Sequence, residues 1–254
     1  MNDPFGTATA GLRIERQDGV WILTLDRPDK RNALSADLVE ALIAAVGAAE
    51  HEQADLLVLR GEGRNFSAGF DFTDYERHSE GDLLLRFVRI ETLLQKLAYS
   101  PCATLALAHG QNFGAGADLL AACRTRVASV DARFRMPGLQ FGLALGTRRL
   151  AALVGAQRAH DLLAASRTFS AEQALDMGFV QEIREPQDWP ELIGQAGAQA
   201  RALSPESRRL LQDLTRLGDN PDGDMAALAR SASAPGIRER IAAFRQAAAG
   251  QRPL

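Results

Sequence analysis

The stretch that most constrains this chain is residues 108–120, AHGQNFGAGADLL. It follows an apolar run from Thr104 to Ala108 that reads as a buried strand, and it leads into Leu119, Leu120, Ala121, Ala122 and Cys123, which read as helix. The join carries Gly110, Gly114 and Gly116. A glycine-rich strand-to-helix turn aims backbone N–H groups outward at the positive end of a helix dipole, so a group that is or becomes anionic is expected beside it. The plainer alternative is a tight connection with no ligand.

A second glycine-bearing turn, residues 61–71 (GEGRNFSAGFD), directly follows the apolar strand run Leu56-Leu57-Val58-Leu59. Neither turn is a nucleotide-phosphate cradle. Both lack Gly-Lys-Ser/Thr, and the third glycine of the dinucleotide fingerprint is replaced by Phe66 in one and by Leu119 in the other.

The remaining chain reads as alternating strand and helix. Residues 12–16 and 20–25 flank the turn pair Asp18-Gly19 as a hairpin, and Ser35 is placed to cap a helix carrying Leu38, Leu42, Ile43 and Val46 on one face. Residues 81–99 read as helix, ended by Ser100-Pro101. Short strands are expected over 124–129 and 132–136, then helices over 148–154, 156–165 and 171–177, the last with Ser170 and Gln173 in capping-box spacing. From Glu191 the pattern is helical only: 191–203, 205–217, 225–231 and 236–248. The expected division is an α/β core over residues 1–190 and a helical region over 191–254.

Bulk properties exclude several classes. A chain of 254 residues with net charge −3 offers no basic footprint for nucleic acid or an anionic membrane. No apolar run reaches the ~18 residues of a membrane span, and residues 1–10 have no basic and apolar leader pattern. Arg252-Pro253-Leu254 is not a peroxisomal address. Cys102 and Cys123 show no metal-ligand spacing and read as buried reduced thiols. The expectation is a cytoplasmic protein with no metal site.

Taken in order, Arg27-Pro28 through Asn32-Ala33-Leu34, Gly61 through Ser67-Ala68-Gly69-Phe70-Asp71, His109-Gly110 through Gly114-Ala115-Gly116, and Ala132-Arg133-Phe134 through Pro137 resemble the crotonase (enoyl-CoA hydratase/isomerase) superfamily. The resemblance spans about residues 20–180, and residues 238–246 look like that family's closing helix. It implies a spiral of ββα units with a helical C-terminal region that supports a homotrimer or a dimer of trimers. The implied substrates are acyl-CoA thioesters of fatty acid metabolism, with coenzyme A as part of the substrate and no separate cofactor. It implies two backbone N–H groups holding the thioester oxygen as an enolate forms, carried over here to Ala68 and Ala115. Fixed donors of this kind lower such a barrier by about 3–4 kcal/mol each. The loop with Lys30 and Arg31 and the turn with Ala68, Phe70 and Asp71 would line the coenzyme A end. The plainer reading of Lys30 and Arg31 is a solvated loop pair, and that of Asp71 is a carboxylate binding backbone N–H groups at the next helix start.

The chain departs from the family pattern at the acid/base positions. Three residues after the second donor stands Asp118, a methylene shorter than the usual glutamate; it is either the catalytic acid/base or an acid stabilised by the helix dipole. The place of the second carboxylate holds Gly138, and residues 142–150 look about three residues shorter than the family's stretch. Hydration needs two proton transfers, so the pattern favours a one-base, isomerase-like reaction. Further acids could come from Glu76 or Glu80, while His78 reads as a solvated loop histidine and His109 as structural. A silent acyl-CoA-binding or scaffold paralogue is the alternative. A protease reading of Ser67 fails for want of a Gly-x-Ser-x-Gly elbow.

Overall fold

A computed structural model describes residues 10–215 and 220–250. β1 (Leu12–Gln17) and β2 (Val20–Leu25) form the expected hairpin, in register from Leu12↔Leu25 to Gln17↔Val20. Asp18 and Gly19 both take positive φ, 49° and 76°, as a tight two-residue turn between twisted strands demands. A single 3-10 turn, Pro28–Lys30, precedes α1 (Ala36–His51), whose first turn is capped by the Ser35 hydroxyl accepting from the Leu38 N–H. β3 (Leu56–Gly61) follows, then α2 (Glu80–Ala98), opened by a reciprocal capping box between Ser79 and Asp82.

The chain then passes twice through the same sequence of elements: β4 (Ala103–Ala108), β5 (Gln111–Phe113) and α3 (Ala115–Ala122), followed by β6 (Thr125–Ala128), β7 (Arg133–Arg135) and α4 (Thr147–Val154). α5 (Ala156–Ala164), β8 (Phe169–Ser170), α6 (Ala171–Asp176) and β9 (Glu182–Ile183) complete the sheets. The larger sheet runs β1-β2-β3-β4-β6-β9, antiparallel only at its first pair, and the smaller runs β5-β7-β8. Each β4-to-β5 or β6-to-β7 step leaves one sheet for the other, which is the ββα spiral the resemblance implies.

Apolar residues on both faces explain the continuous hydrophobic runs. Leu23, Leu25, Leu57 and Leu59 face the main core with α1, α2 and α3. Val20, Leu56, Val58, Leu105, Leu107 and Val127 face a second core. That second core is filled by Trp189, Ile193 and Ala200 of α7 (Trp189–Arg201). α8 (Pro205–Leu214), α9 (Pro221–Ala232) and α10 (Ile237–Gly250) follow; α9 lies along α2, and α10 reaches the 3-10 turn Gly138–Phe141.

Three local expectations change. α3 starts at Ala115 rather than at Leu119, because Gly114, at φ 51°, turns the chain directly from β5 into the helix. Residues 111–113, expected as turn, pair with β7. α8 ends at Leu214, and residues 216–217 of its expected span lie outside the described residues.

Candidate active site

The two glycine turns meet face to face. Phe66 donates its N–H to His109 O at 3.0 Å and Phe113 donates to Ser67 O at 3.0 Å, forming a parallel bridge between Ser67 and Asn112. A Cβ at Gly69 would lie 3.1 Å from the Ala115 nitrogen, so only glycine lets the first turn approach the second this closely. Buried Asn32 fastens the preceding loop to the same place: its side-chain amide donates to Glu62 O at 2.9 Å and Asn65 O at 2.8 Å, while its Oδ1 accepts from the Arg27 N–H at 2.8 Å. The Ser67 hydroxyl donates to Asn32 O at 2.8 Å and accepts from the Gly69 N–H at 3.2 Å.

This clamp corrects one expectation. The Ala68 N–H is spent on Arg31 O at 2.8 Å and is not available as an oxyanion donor. Leu34 brackets the next residue, donating to Gly69 O and accepting from the Asp71 N–H, so Phe70 is left with an N–H that no described residue accepts. Ala115, at the first position of α3, likewise has no intrahelical partner for its N–H. Phe70 and Ala115 both line a cavity of about 610 Å³. The motif alone points to Ala68; the direction of each N–H depends on the bridge between residues 34 and 70, a pairing between distant segments.

Asp118 lies on α3 and lines the cavity, 3% exposed. Burial pushes its carboxyl well above the ordinary aspartate value; Arg149 pulls it down and Glu91 pushes it further up. Its Oδ1 has no hydrogen-bond partner among the described residues. Arg149 of α4 donates from Nη1 and Nη2 to the two carboxylate oxygens of buried Glu91 of α2, with Asp224 3.9 Å away. This cluster carries no motif and escaped the sequence reading.

Asp71, Glu76 and Glu80 are each engaged by another group. Asp71 lines the cavity, but its Oδ2 accepts from Arg27 at 2.9 Å and its Oδ1 from the Thr73 N–H at 2.9 Å. Burial raises its carboxyl, and these hydrogen bonds outweigh burial and hold it below the usual range. Glu76 sits at the surface 3.6 Å from Arg245, and Glu80 accepts from the Gly236 N–H at 2.9 Å; neither lines the cavity. His78 is half-buried, with Nδ1 3.0 Å from Asp74 O. His109 places Nε2 2.8 Å from Gly63 O and packs against Trp189, away from the cavity.

At Gly138 the gap is closed by the main chain. A Cβ there would lie 2.9 Å from Leu143 O, and Leu143 donates its N–H to Gly138 O at 2.9 Å. The short 142–146 segment therefore fills the space a side chain would need. The cavity wall beyond is apolar: Phe87, Ile90, Phe141, Leu143, Leu145 and Leu163. At the other end exposed Lys30 and Arg31 form the mouth with Asp29. α10 closes the side, with Phe244 against Phe141 at 5.2 Å and Arg245 stacked over Tyr75 at 5.2 Å.

A spiral of ββα units with paired glycine turns beside a buried carboxylate defines a crotonase-fold protein. The enoyl-CoA hydratase/isomerase family profile matches residues 15–219, and the chain belongs to that family. A crystal structure of the enoyl-CoA hydratase/isomerase type from Bordetella parapertussis is 56% identical, with TM-score 0.92, covering 96% of this chain and 99% of that one. A Bacillus subtilis protein named "Probable enoyl-CoA hydratase" is 32% identical over 205 residues, 78% of each chain. A 4-chlorobenzoyl coenzyme A dehalogenase of Arthrobacter is 28% identical over 249 residues, 92% of this chain and 90% of that one. Relatives therefore include differing chemistries on coenzyme A esters. No helix among the described residues is long and apolar enough to cross a membrane.

Proposed function

We propose that the cavity binds an acyl-CoA thioester and moves a proton along its acyl chain with one carboxyl group. The supporting observation is that Asp118 is a buried carboxylate of the cavity whose Oδ1 has no hydrogen-bond partner among the described residues. In this reading the thioester oxygen rests between the N–H groups of Phe70 and Ala115. Ionised Asp118 takes a proton from the carbon next to the thioester, the electron pair delocalises onto the held oxygen, and the protonated carboxyl returns its proton two carbons along. A 3-enoyl thioester becomes a 2-enoyl thioester, with no water consumed. Two preset donors stabilise the charge that develops on oxygen, and a carboxyl whose pKa is raised by burial is a stronger base once ionised. The coenzyme A end lies at Lys30, Arg31 and the Phe70–Asp71 edge, with fatty acid metabolism as the setting. The helices beyond residue 191 carry contacts of a homotrimer or dimer of trimers in the cytoplasm.

Incubation with 3-hexenoyl-CoA is expected to create enoyl-thioester absorbance, and Asp118→Asn to lower kcat by on the order of 100-fold or more. Unchanged turnover in that variant would remove Asp118 from the mechanism. Binding of acyl-CoA with no turnover across 3-enoyl and 2-enoyl esters would support the silent paralogue, the reading favoured by the filled space at Gly138.

A further inference from the structure

A second cavity, of about 280 Å³, lies at the opposite end of α3 from the first. Ala115 and Asp118 at the start of the helix line the first cavity, whereas Ala121 and Ala122 at its end line this one. Its wall holds three arginines, Arg124, Arg126 and Arg149, and no aspartate or glutamate among the described residues. Arg149 is matched in charge by Glu91, with Asp224 close by, and the described ion pairs of this region end there. Arg124 and Arg126 are left without a carboxylate.

Arg126, in β6, is 4% exposed. Its Nε donates to Phe179 O at 2.5 Å and its Nη1 to Cys123 O at 2.7 Å and Arg124 O at 3.0 Å, and no described residue accepts from Nη2. These acceptors are neutral carbonyls, so they satisfy hydrogen bonds at the end of α3 without answering the charge. A buried charge with no counter-charge is costly. Burial lowers the guanidinium to about 10; the Cys123 thiol opposes this, and Arg124 is near enough to lower it further. Arg126 therefore stays charged at neutral pH. Arg124 is exposed and fixed by Thr215, its Nη1 donating to the carbonyl at 2.9 Å and its Nη2 to Oγ1 at 3.0 Å, and no described residue accepts from its Nε.

Two neighbouring guanidinium groups with no acid between them repel each other, and their fixed N–H forks match the oxygens of a phosphate. The cavity falls below the ~300 Å³ at which pockets for larger ligands begin, so the ligand is small.

We propose that this cavity binds a small tetrahedral oxyanion of the phosphate type, held by the guanidinium groups of Arg124 and Arg126. The site does not rest on the acyl-CoA reading of the first cavity.

The test reads thermal unfolding of the intact protein in sodium phosphate against sodium chloride of equal ionic strength. With a Kd on the order of 1 mM, about 10 mM phosphate raises the folding equilibrium constant roughly tenfold, seen as a higher melting temperature. Arg124→Gln is expected to abolish that difference, while Lys30→Gln, at the mouth of the first cavity, keeps it. Each variant is compared with itself in the two salts, so a change in its baseline stability cancels. No difference in the wild type, a difference kept in Arg124→Gln, or one lost in Lys30→Gln would overturn the site. Wild-type crystals soaked in selenate, a heavier tetrahedral oxyanion, should hold it between Arg124 and Arg126. If Arg124→Gln does not fold, density there supports the site and its absence overturns it. Density in the crystal with no difference in solution marks an adventitious ion only, and overturns the site as well.

Discussion

Asp118 and Asp71 show how two aspartates in one cavity are driven in opposite directions. Asp71 accepts two hydrogen bonds and is stabilised as the anion, whereas Asp118 is buried with an unpartnered oxygen and is held toward the acid form. The consequence for stability has a definite sign. Below the usual aspartate value of 3.8, Asp118 is protonated in folded and unfolded chains alike. As pH rises, the unfolded chain ionises first, so stability falls through the interval between that value and the raised folded value. Asp118→Asn removes this dependence. Its melting temperature is expected to match the wild type in acid and to exceed it progressively toward neutral pH. A constant difference at all pH values would contradict the assignment. The identity of Asp118 as a candidate was legible from its spacing after Ala115. Its protonation was not, because that depends first on burial by the folded chain, which raises the carboxyl, and then on Arg149, which lowers it, and Glu91, which raises it, both distant in sequence.

At the scale of elements, the capped helices were the most readable parts. Ser35 and Ser170 cap helices as their spacing predicts, each by accepting from a backbone N–H three residues on, and Ser79, which was not singled out in the sequence, caps α2 in the same way. The same is not true of the turns, where glycine content announces a close approach without giving its partner. Residues 111–113 show why: they pair with Arg133–Arg135, and no local signal distinguishes that strand from a loop. The α2–α4 contact was equally hidden, since Glu91 and Arg149 lie on separate helices with no motif. Breaking one side of a buried ion pair costs about 3–5 kcal/mol. Glu91→Gln is therefore expected to lower the melting temperature. It also removes a negative charge facing Asp118 and leaves Arg149 of α4 and Asp224 of α9 as the charges nearby, so Asp118 ionises at lower pH. The acid limb of any isomerase pH–rate profile should shift downward with it. An unmoved limb in a folded variant would separate the ion pair from the site.

For the whole molecule, the α/β core and the helical end were both visible in the chain, but their cooperation was not. α7 seals the outer face of the large sheet through Trp189, Ile193 and Ala200, and α10 supplies Phe244, Arg245, Ala248 and Ala249 to the cavity wall. The cavity is thus completed by the last described helix of the chain. A chain ending at Pro235 is expected to keep the sheet's circular-dichroism signature and lose at least tenfold in acyl-CoA affinity, because a wall of the cavity is gone and apolar burial of the ligand falls with it. Retained affinity would place the ligand away from α10.

The carbonyl of Leu143 beneath Gly138 bears on how this protein's chemistry could be changed. A side chain at residue 138 would bring its Cβ to 2.9 Å from Leu143 O, so placing a carboxylate there requires the main chain at Leu143 to move as well. The route to a two-acid site would run through the path of the 142–146 segment first and the side chain second, a larger change than a single substitution.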